Sequence, residues 1–385
     1  MTLLLESLFN GAAIGSVLLI AALGLAIVFG LMGVINLAHG ELMMLGAYTT
    51  YVVQSFFKLP LLEPLFGAYI FVAVVVAFLV SGLVGLLLER TVIRRLYGRP
   101  LETLLATWGV SLILQQFVRT VPLAWSTGLW LAAVLGLAGP LVVNRLRGPG
   151  QQRPWLLRLG SWVVAAGVGV TAAGWIRSAM PKLARASARN VDVTAPRWLR
   201  GGLDLGDWTL PVPRLVILAL TILAVLAVYW FLNRSLWGLR IRAVTQNRAM
   251  SDCLGIPTQA VDALTFGLGS GLAGVAGVAV SLLGSVGPNV GGDYIVGCFM
   301  VVVLGGVGNL WGAVVASAGI GVLTDVIGAG RLLEVWPQMP AWLQQGVEFF
   351  ATTSMARVLI FALIVLALQV RPAGLFPQRG RMAEV

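Results

Sequence analysis

Long apolar runs separated by short polar links recur along the whole chain. The runs lie at residues 11–33, 40–57, 65–88, 101–123, 129–143, 155–177, 215–232, 258–283, 294–304, 313–327 and 358–370. About 20 consecutive apolar residues are enough for a helix to cross a bilayer, where each backbone polar group must be satisfied within its own segment. The pattern therefore predicts an all-α fold, a polytopic membrane helical bundle of about eleven segments.

Two places in this pattern share one order: a long run, a polar break that contains asparagine, a shorter run and another long run. The breaks lie at residues 34–41, called break one, and 284–293, called break two. The first copy begins on the opposite side of the membrane from the second, as in an inverted-topology repeat of broken helices. Solutes cross such proteins at the interface between the broken helices, so we expect the breaks to line a path.

Polar side chains inside a membrane are costly and usually face the protein interior. The candidate residues for a substrate pathway, in or near the breaks, are Asn36, His39, Glu41, Ser270, Asn289, Gly291 and Gly292. Thr107, Ser111, Gln115 and Gln116 are also expected to face the interior. For His39 alone, a hydrogen bond within the helix break is favoured over substrate contact, and any single glycine is more typical of helix packing.

A polar island at residues 238–256, here the docking segment, separates two long apolar runs. Its spacing favours a short amphipathic helix at a membrane surface, with Ile241, Val244 and Leu254 facing inward. Such a helix could dock a soluble partner; an ordinary cytoplasmic loop that retains arginines is the alternative. The candidate docking residues are Arg240, Arg242, Thr245, Gln246, Asn247, Arg248, Asp252 and Gly255.

Basic residues concentrate in links that alternate along the chain, which indicates an N-terminus outside and a C-terminus in the cytoplasm. The polar stretch 178–213 then falls outside, although its basic residues go against the rule, and the docking segment falls inside. Placing 178–213 inside is the alternative, and it would put Arg240 to Arg248 outside. The chain divides into a first transmembrane half at 8–124, an additional transmembrane hairpin with the start of the external loop at 125–185, and a second half at 186–385. The N-terminus lacks a basic region and a cleavage site, so we expect Met1 to begin the mature chain.

Composition narrows the function further. Hydrophobic residues make up 58% and charged residues 11%, far from soluble domains, in which about a quarter are charged. The net charge of +11 follows from basic links at the membrane and requires no nucleic acid. One histidine and two cysteines predict no metal site, and we find no catalytic constellation or phosphate-binding loop. We expect no enzyme and no cofactor in this chain; any ATP is hydrolysed by a separate subunit.

Several stretches resemble a known family. GLMGVINLAHGELMMLGAY at 30–48, and LGGVG at 304–308 followed by Gly312, resemble signatures of the permeases of branched-chain amino acid ABC importers. RAVTQNRAM at 242–250, FGLGSGLAG at 266–274 and NVDV at 190–193 are closer to the urea-transporter branch. The spans between 129 and 177 look like an addition to that pattern, and Gly297 stands where many urea permeases have an acidic residue.

The resemblance implies a permease subunit of an ATP-binding-cassette importer in a bacterial inner membrane, with a path for urea or short amides. Its partners would be ATP-binding subunits, a second homologous permease or a second copy of this chain, and a periplasmic or extracellular substrate-binding protein. The docking segment would then be the coupling helix for the ATP-binding subunits. One alternative substrate class is branched-chain amino acids. A different class of protein, a stand-alone channel or ion-coupled carrier, is the alternative to an importer. Its candidate acidic residues would be Glu41 and Asp325.

Overall fold

The computed structural model describes residues 2–60, 62–145, 154–179, 190–204, 209–331 and 340–376. The first seven helices in these ranges are α1 (Thr2–Met32), α2 (His39–Phe57), α3 (Tyr69–Thr91), α4 (Pro100–Thr120), α5 (Leu123–Arg145), α6 (Pro154–Ala179) and α7 (Val212–Arg234). The next seven are α8 (Leu236–Gln246), α9 (Arg248–Cys253), α10 (Thr258–Leu283), α11 (Val290–Gly305), α12 (Leu310–Gly328), α13 (Ala341–Phe350) and α14 (Thr353–Val370). Strands β1 (Gly202–Asp204) and β2 (Thr209–Pro211) form a small antiparallel pair.

The predicted membrane segments all coincide with helices: α1 to α7, α10 to α12, and α14. Six of the described helices are long and apolar enough to cross a membrane, and α11 and α14 are shorter apolar helices. The all-α polytopic bundle is thus confirmed. Helix α13 was not predicted. The boundary at 185–186, much of the predicted external loop and the chain after residue 376 lie outside the described residues.

The two copies of the repeat, α1–α2–α3 and α10–α11–α12, exchange their third helices. Helix α3 packs on α10 of the other copy, and α12 packs on α1. Both pairs are antiparallel: Gly85 meets Ser270 where Ser81 meets Gly274, and Gly15 meets Ser317. Because glycine has no side chain, the backbones of each pair can approach closely, as is common in membrane bundles. Both copies therefore contribute to one core, which the exchanged helices hold together.

Helices α1 and α10 form the centre of this core. Most of their residues are buried, and they cross where Gly24 meets Gly269, so closely that a methyl group on Gly269 would lie 2.6 Å from the Gly24 carbonyl oxygen. Helices α3, α4 and α7 surround this centre and leave large apolar side chains exposed, among them Phe71, Ile113 and Leu226. In a membrane protein such side chains face lipid or another membrane subunit.

Helices α5 and α6 form a hairpin that packs mainly on itself. Gly128 and Gly169 face each other at its crossing, where a methyl group on either would collide with the opposite backbone. Leu123, Ala124 and Ile176 join it to the main core. An apolar cavity of about 470 Å³ lies between the hairpin and helices α2, α3 and α4. The hairpin therefore joins the main core through a small set of residues beside this cavity.

The bundle has two distinct ends. One, the loop end, carries residues 190–204 and the strand pair; there Gln54 and Tyr69 both donate hydrogen bonds of 2.9 Å to the Thr194 carbonyl oxygen. Arg331 pairs with Glu6 at 3.2 Å and with Asp325 at 3.5 Å near the same end. The other, the docking end, carries α8 and α9. Helices α1 and α7 both run from the loop end to the docking end.

Candidate translocation path and docking surface

Break one interrupts the first copy of the repeat between α1 and α2. Gly33 ends α1 with a φ of 68°, a left-handed conformation that favours glycine. The Asn36 Oδ1 atom then accepts a hydrogen bond of 3.1 Å from the Ala38 amide, which turns the chain into α2. Buried His39 donates from Nε2 to the Ala21 carbonyl oxygen at 2.9 Å. His39 thus bonds to the interior of α1, and its Nδ1 atom has no hydrogen-bond partner among the described residues.

Break two interrupts the second copy between α10 and α11. Val286 exchanges two backbone hydrogen bonds of 2.8 Å with Val191, a residue of the loop end. The Asn190 side chain lies directly against Gly287. Residues 190 and 191, from the stretch that resembles urea permeases, therefore cover break two. Break one adjoins the docking end through Leu31, so the two breaks open toward opposite ends of the bundle.

The helices that follow the breaks, α2 and α11, meet at their N-termini. A methyl group on Gly291 would lie 2.7 Å from the Gly40 carbonyl oxygen and 2.8 Å from the Glu41 carboxyl carbon. The Glu41 carboxyl group therefore lies at the first turn of both helices. Unpaired backbone amides and the helix dipole make such termini favourable for negative charge. Two helix ends thus favour one buried acidic group in the middle of the bundle.

Helix α4 lies across both breaks and presents a polar stripe to them. The stripe consists of Thr107, Ser111, Gln115 and Arg119, which are four residues apart and so share one helix face. Thr107 Oγ1 accepts from the Leu37 amide at 3.2 Å, and Ser111 donates to Glu41 Oε1 at 3.3 Å. Gln115 and Arg119 both donate to Asn289 Oδ1, at 3.3 and 2.6 Å. The stripe extends over about 18 Å and connects break one to break two.

The structure brings most predicted pathway residues together and separates two from them. Asn36, His39, Glu41, Asn289 and Gly291 lie at the breaks or beneath the α4 stripe. Gly292 lies in open space, since an added methyl group would have no heavy atom of the described ranges within 4 Å. Ser270 is buried at the contact of α10 with α3, beside Gly85, where it serves helix packing.

The α4 stripe was not predicted from the sequence. Thr107, Ser111 and Gln115 were predicted only as separate polar residues that face the interior, and Arg119 was not predicted. The signal was present, because four polar residues at a spacing of four form one helical face. Gln116 was also predicted to face the interior, and that was wrong: Gln116 is exposed on α4 beside the stripe.

The docking segment is two short helices rather than one. Asn247 separates α8 from α9 and caps α9, since its Oδ1 atom accepts from the Met250 amide at 2.9 Å. Ile241 and Val244 are buried as predicted. Leu254 was predicted to face inward, and that was wrong: it is 74% exposed. Gly255 ends the segment with a φ of 77°, so the chain turns back and Ile256, not Leu254, packs against the core.

Several predicted docking residues bond to the bundle and not outward. Thr245 donates to the Leu31 carbonyl oxygen at 3.1 Å, and Asp252 accepts from Thr258 at 2.7 Å. Arg248 forms an ion pair with Asp262 at 2.6 Å and lies over the Tyr97 ring at 5.0 Å. Burial raises the pKa of Tyr97, so its phenol stays protonated at neutral pH. The contacts of Arg248 thus hold the docking segment against the bundle.

The outward face of the docking segment mixes polar and apolar side chains. Arg242, Gln246, Met250 and Leu254 are exposed, and Arg242 donates to Asn233 at 3.3 Å. Arg240 lies over the Trp237 ring at 4.9 Å. Met250 and Leu254 together form a small apolar patch rimmed by polar groups, which is typical of protein interaction sites. The sequence did not predict this patch, because Leu254 was assigned to the core.

The docking segment is bonded to both broken helices. Thr245 holds the end of α1 just before break one, and Arg248 holds the start of α10, which leads to break two. Below them, buried Glu89 of α3 pairs with Arg94 at 3.0 Å, and Arg94 donates to Gln259 of α10 at 3.4 Å. A force on the outward face would therefore reach α1, α3 and α10 together.

One large cavity lies apart from the breaks. It has a volume of about 840 Å³ and is lined mainly by apolar residues of α1, α7, α8 and α12, with Arg242 and Gln246 at its docking end. Neither the α4 stripe nor Glu41 lines it. The contacts of the α4 stripe with Glu41 and Asn289 thus lie outside this cavity.

Comparison with known proteins agrees with this architecture. Residues 7–368 match the family described as branched-chain amino acid transport system / permease component. The chain is 25% identical over 375 residues to the high-affinity branched-chain amino acid transport system permease protein LivH of Salmonella typhimurium, covering 96% of this chain and 94% of that protein. Its identity to the permease protein BraD of Pseudomonas aeruginosa is 24% over 380 residues, covering 96% and 95% of the two chains.

Among solved structures, PsaBC from Streptococcus pneumoniae in complex with Fab overlaps 94% of this chain and 91% of that chain, with a TM-score of 0.33 and 11% identity. That overlap is too weak to carry an argument about fold. The family match spans most of the 385 residues and includes both breaks and the docking segment. The chain is not an enzyme, and it belongs to the family of permease components of branched-chain amino acid transport systems.

Proposed function

We propose that this chain is a membrane-spanning permease subunit of an ATP-binding-cassette importer and that branched-chain amino acids are its substrate class. The family and the names of its relatives support this substrate class over urea. The observation that carries the transport role is the bonding of one surface segment to both broken helices. Such an arrangement can transmit force to two halves of a path at once.

Transport would proceed by alternating access. ATP-binding subunits would bind the outward face of the docking segment at Met250, Leu254, Arg242 and Gln246. Their closure would move α8 and α9, and with them the ends of α1 and α10. The two copies of the repeat would then rock about the breaks, which opens the path to one side and closes it to the other.

The proposed function also implies an orientation in the membrane and a set of partner proteins. The docking end faces the cytoplasm, the loop end faces outward, and the N-terminus begins outside, in a bacterial inner membrane. A second homologous permease or a second copy of this chain would complete the membrane part. A periplasmic or extracellular binding protein would deliver the solute at the loop end, where residues 190 and 191 cover break two.

Urea or a short amide is the second candidate substrate. Motifs at 190–193, 242–250 and 266–274 resemble the urea branch, and the breaks present amide, hydroxyl and backbone groups that suit a small hydrogen-bonding solute. Arg119 at break two, which the sequence did not single out, equally suits the carboxylate of an amino acid. A stand-alone ion-coupled carrier has less support, because Asp325 is already paired with Arg331.

The test is reconstitution of the chain in vesicles with its ATP-binding subunits and second permease, followed by uptake of labelled leucine and urea. ATP-dependent leucine uptake that needs the binding protein supports the proposal. Uptake of urea alone would transfer the assignment to the second candidate. Uptake by this chain without any ATP-binding subunit would overturn the importer proposal for both solutes.

A further inference from the structure

Glu41 carries a buried carboxylate oxygen that nothing in the described structure uses. The residue is only 3% exposed. Its Oε1 atom accepts the hydrogen bond from Ser111, while its Oε2 atom has no hydrogen-bond partner among the described residues. Buried polar groups are seldom left without a partner because that costs free energy. An unused acceptor at the crossing of two broken helices therefore points to a ligand.

Helix ends, and not an ion pair, surround the Glu41 carboxyl group. No arginine or lysine forms an ion pair with Glu41 among the described residues. The nearest basic residue of the α4 stripe, Arg119, donates instead to Asn289. The N-termini of α2 and α11 supply partial positive charge at this point. They attract an acceptor oxygen, and they leave Oε2 free to accept a further hydrogen bond.

Two other helices contact the Glu41 carboxyl group. Ser111 on α4 engages Oε1, and Gly291 on α11 leaves room for the carboxyl group because it has no side chain. The Asn36 Nδ2 atom is likewise buried and has no hydrogen-bond partner within the described part of the chain. An acceptor and a donor that both lack partners thus lie in break one, on the route between the two breaks.

We propose that the free oxygen of Glu41 accepts a hydrogen bond from an N–H group of the solute as it passes between the breaks, so that the path selects solutes with N–H donors. The donor is the ammonium group of an amino acid or the amide of urea. This inference rests on the proposed transport function and adds the group that distinguishes solutes. Glu41 is then a specificity-determining residue rather than a helix cap.

Two substitutions separate the possible donors in the complete reconstituted importer. Glu41→Gln keeps the shape and an acceptor oxygen but removes the charge, and Glu41→Met removes the acceptor altogether. If the donor is an ammonium group, Glu41→Gln lowers the maximal rate of leucine uptake by about tenfold, the factor expected for a lost charged hydrogen bond. If the donor is an amide, Glu41→Gln retains urea uptake and Glu41→Met loses it.

The control is Gln116→Leu, which replaces an exposed polar residue of α4 outside the stripe and should leave uptake unchanged. Basal ATP hydrolysis and the thermal unfolding temperature of each assembled variant report whether it folds and assembles. If Glu41→Met fails to assemble, Glu41→Asp, which draws the carboxylate back by one methylene, replaces it. Wild-type uptake rates in Glu41→Gln and in Glu41→Met or Glu41→Asp overturn the inference. Absence of uptake by the wild-type importer refutes the proposed function instead.

Discussion

At the scale of single residues, Gly291 and Gly292 differ in how closely another helix approaches them. Gly291 and Gly292 are adjacent in sequence and were both predicted to line the path. Only Gly291 lies against the backbone of Gly40 and the carboxyl group of Glu41, whereas Gly292 faces open space. A pattern of glycines cannot distinguish the two, since the difference depends on a helix more than 200 residues away in sequence.

Gly291→Ala is therefore expected to lower the stability of the protein by about 1 to 3 kcal/mol, the usual cost of overpacking, and to reduce transport. The added methyl group would force α2 and α11 apart at their N-termini. Gly292→Ala, the matched control, is expected to change neither stability nor transport. Thermal unfolding in detergent and uptake in vesicles measure both. Equal behaviour of the two variants would contradict the described contact between the breaks.

At the scale of elements, the docking segment and helix α4 show how helix faces are assigned. The inward face of α8 follows the spacing of Ile241 and Val244, and the structure confirms it. The α9 end does not follow that spacing, because the cap at Asn247 starts a new helix with its own face. In a soluble protein the apolar face of a surface helix packs on the core. Helix α4 has the opposite arrangement: its polar stripe faces the bundle, and apolar side chains such as Leu105 and Ile113 are exposed.

The apolar patch of the docking segment leads to a prediction about assembly. Met250→Glu and Leu254→Glu are each expected to reduce co-purification with the ATP-binding subunits at least severalfold, because a charge would enter a desolvated contact. Folding should be unaffected, since both side chains are exposed. Leu254→Met keeps the apolar area and serves as the control. Arg248 is unsuitable for this test, because its replacement would leave Asp262 buried without its ion pair. Undiminished co-purification of both glutamate variants would exclude the patch as the docking contact.

At the scale of the whole molecule, the bundle is an exchanged pair of repeats with breaks that open to opposite ends. Helix α3 packs on α10 and α12 packs on α1, so neither copy of the repeat has a complete core of its own. The docking segment bonds to α1 and α10, and the loop end bonds to break two. Each end of the molecule is thus attached to a different part of the path.

The two cysteines of the chain test the proposed orientation without any substitution. Cys253 is exposed in α9 and Cys298 is buried in α11. A membrane-impermeant maleimide should therefore label the protein in inside-out vesicles and not in intact spheroplasts. Cys253→Ser should abolish this labelling, and Lys58→Cys in that background should restore it from the outer side only. Labelling of Cys253 in intact spheroplasts would place the docking segment outside and invert the orientation.

The sequence by itself determined the all-α class, the positions of the apolar helices, the two breaks and the inward face of α8. It could do so because a bilayer requires long apolar helices, and because the polar residues that interrupt them are conspicuous there. Only the tertiary structure decided which polar groups meet: the α4 stripe with both breaks, Glu41 with two helix N-termini, Arg248 with Asp262, and Ser270 with α3 in place of the path. Those contacts join residues far apart in the chain, and no local pattern encodes the packing that brings them together.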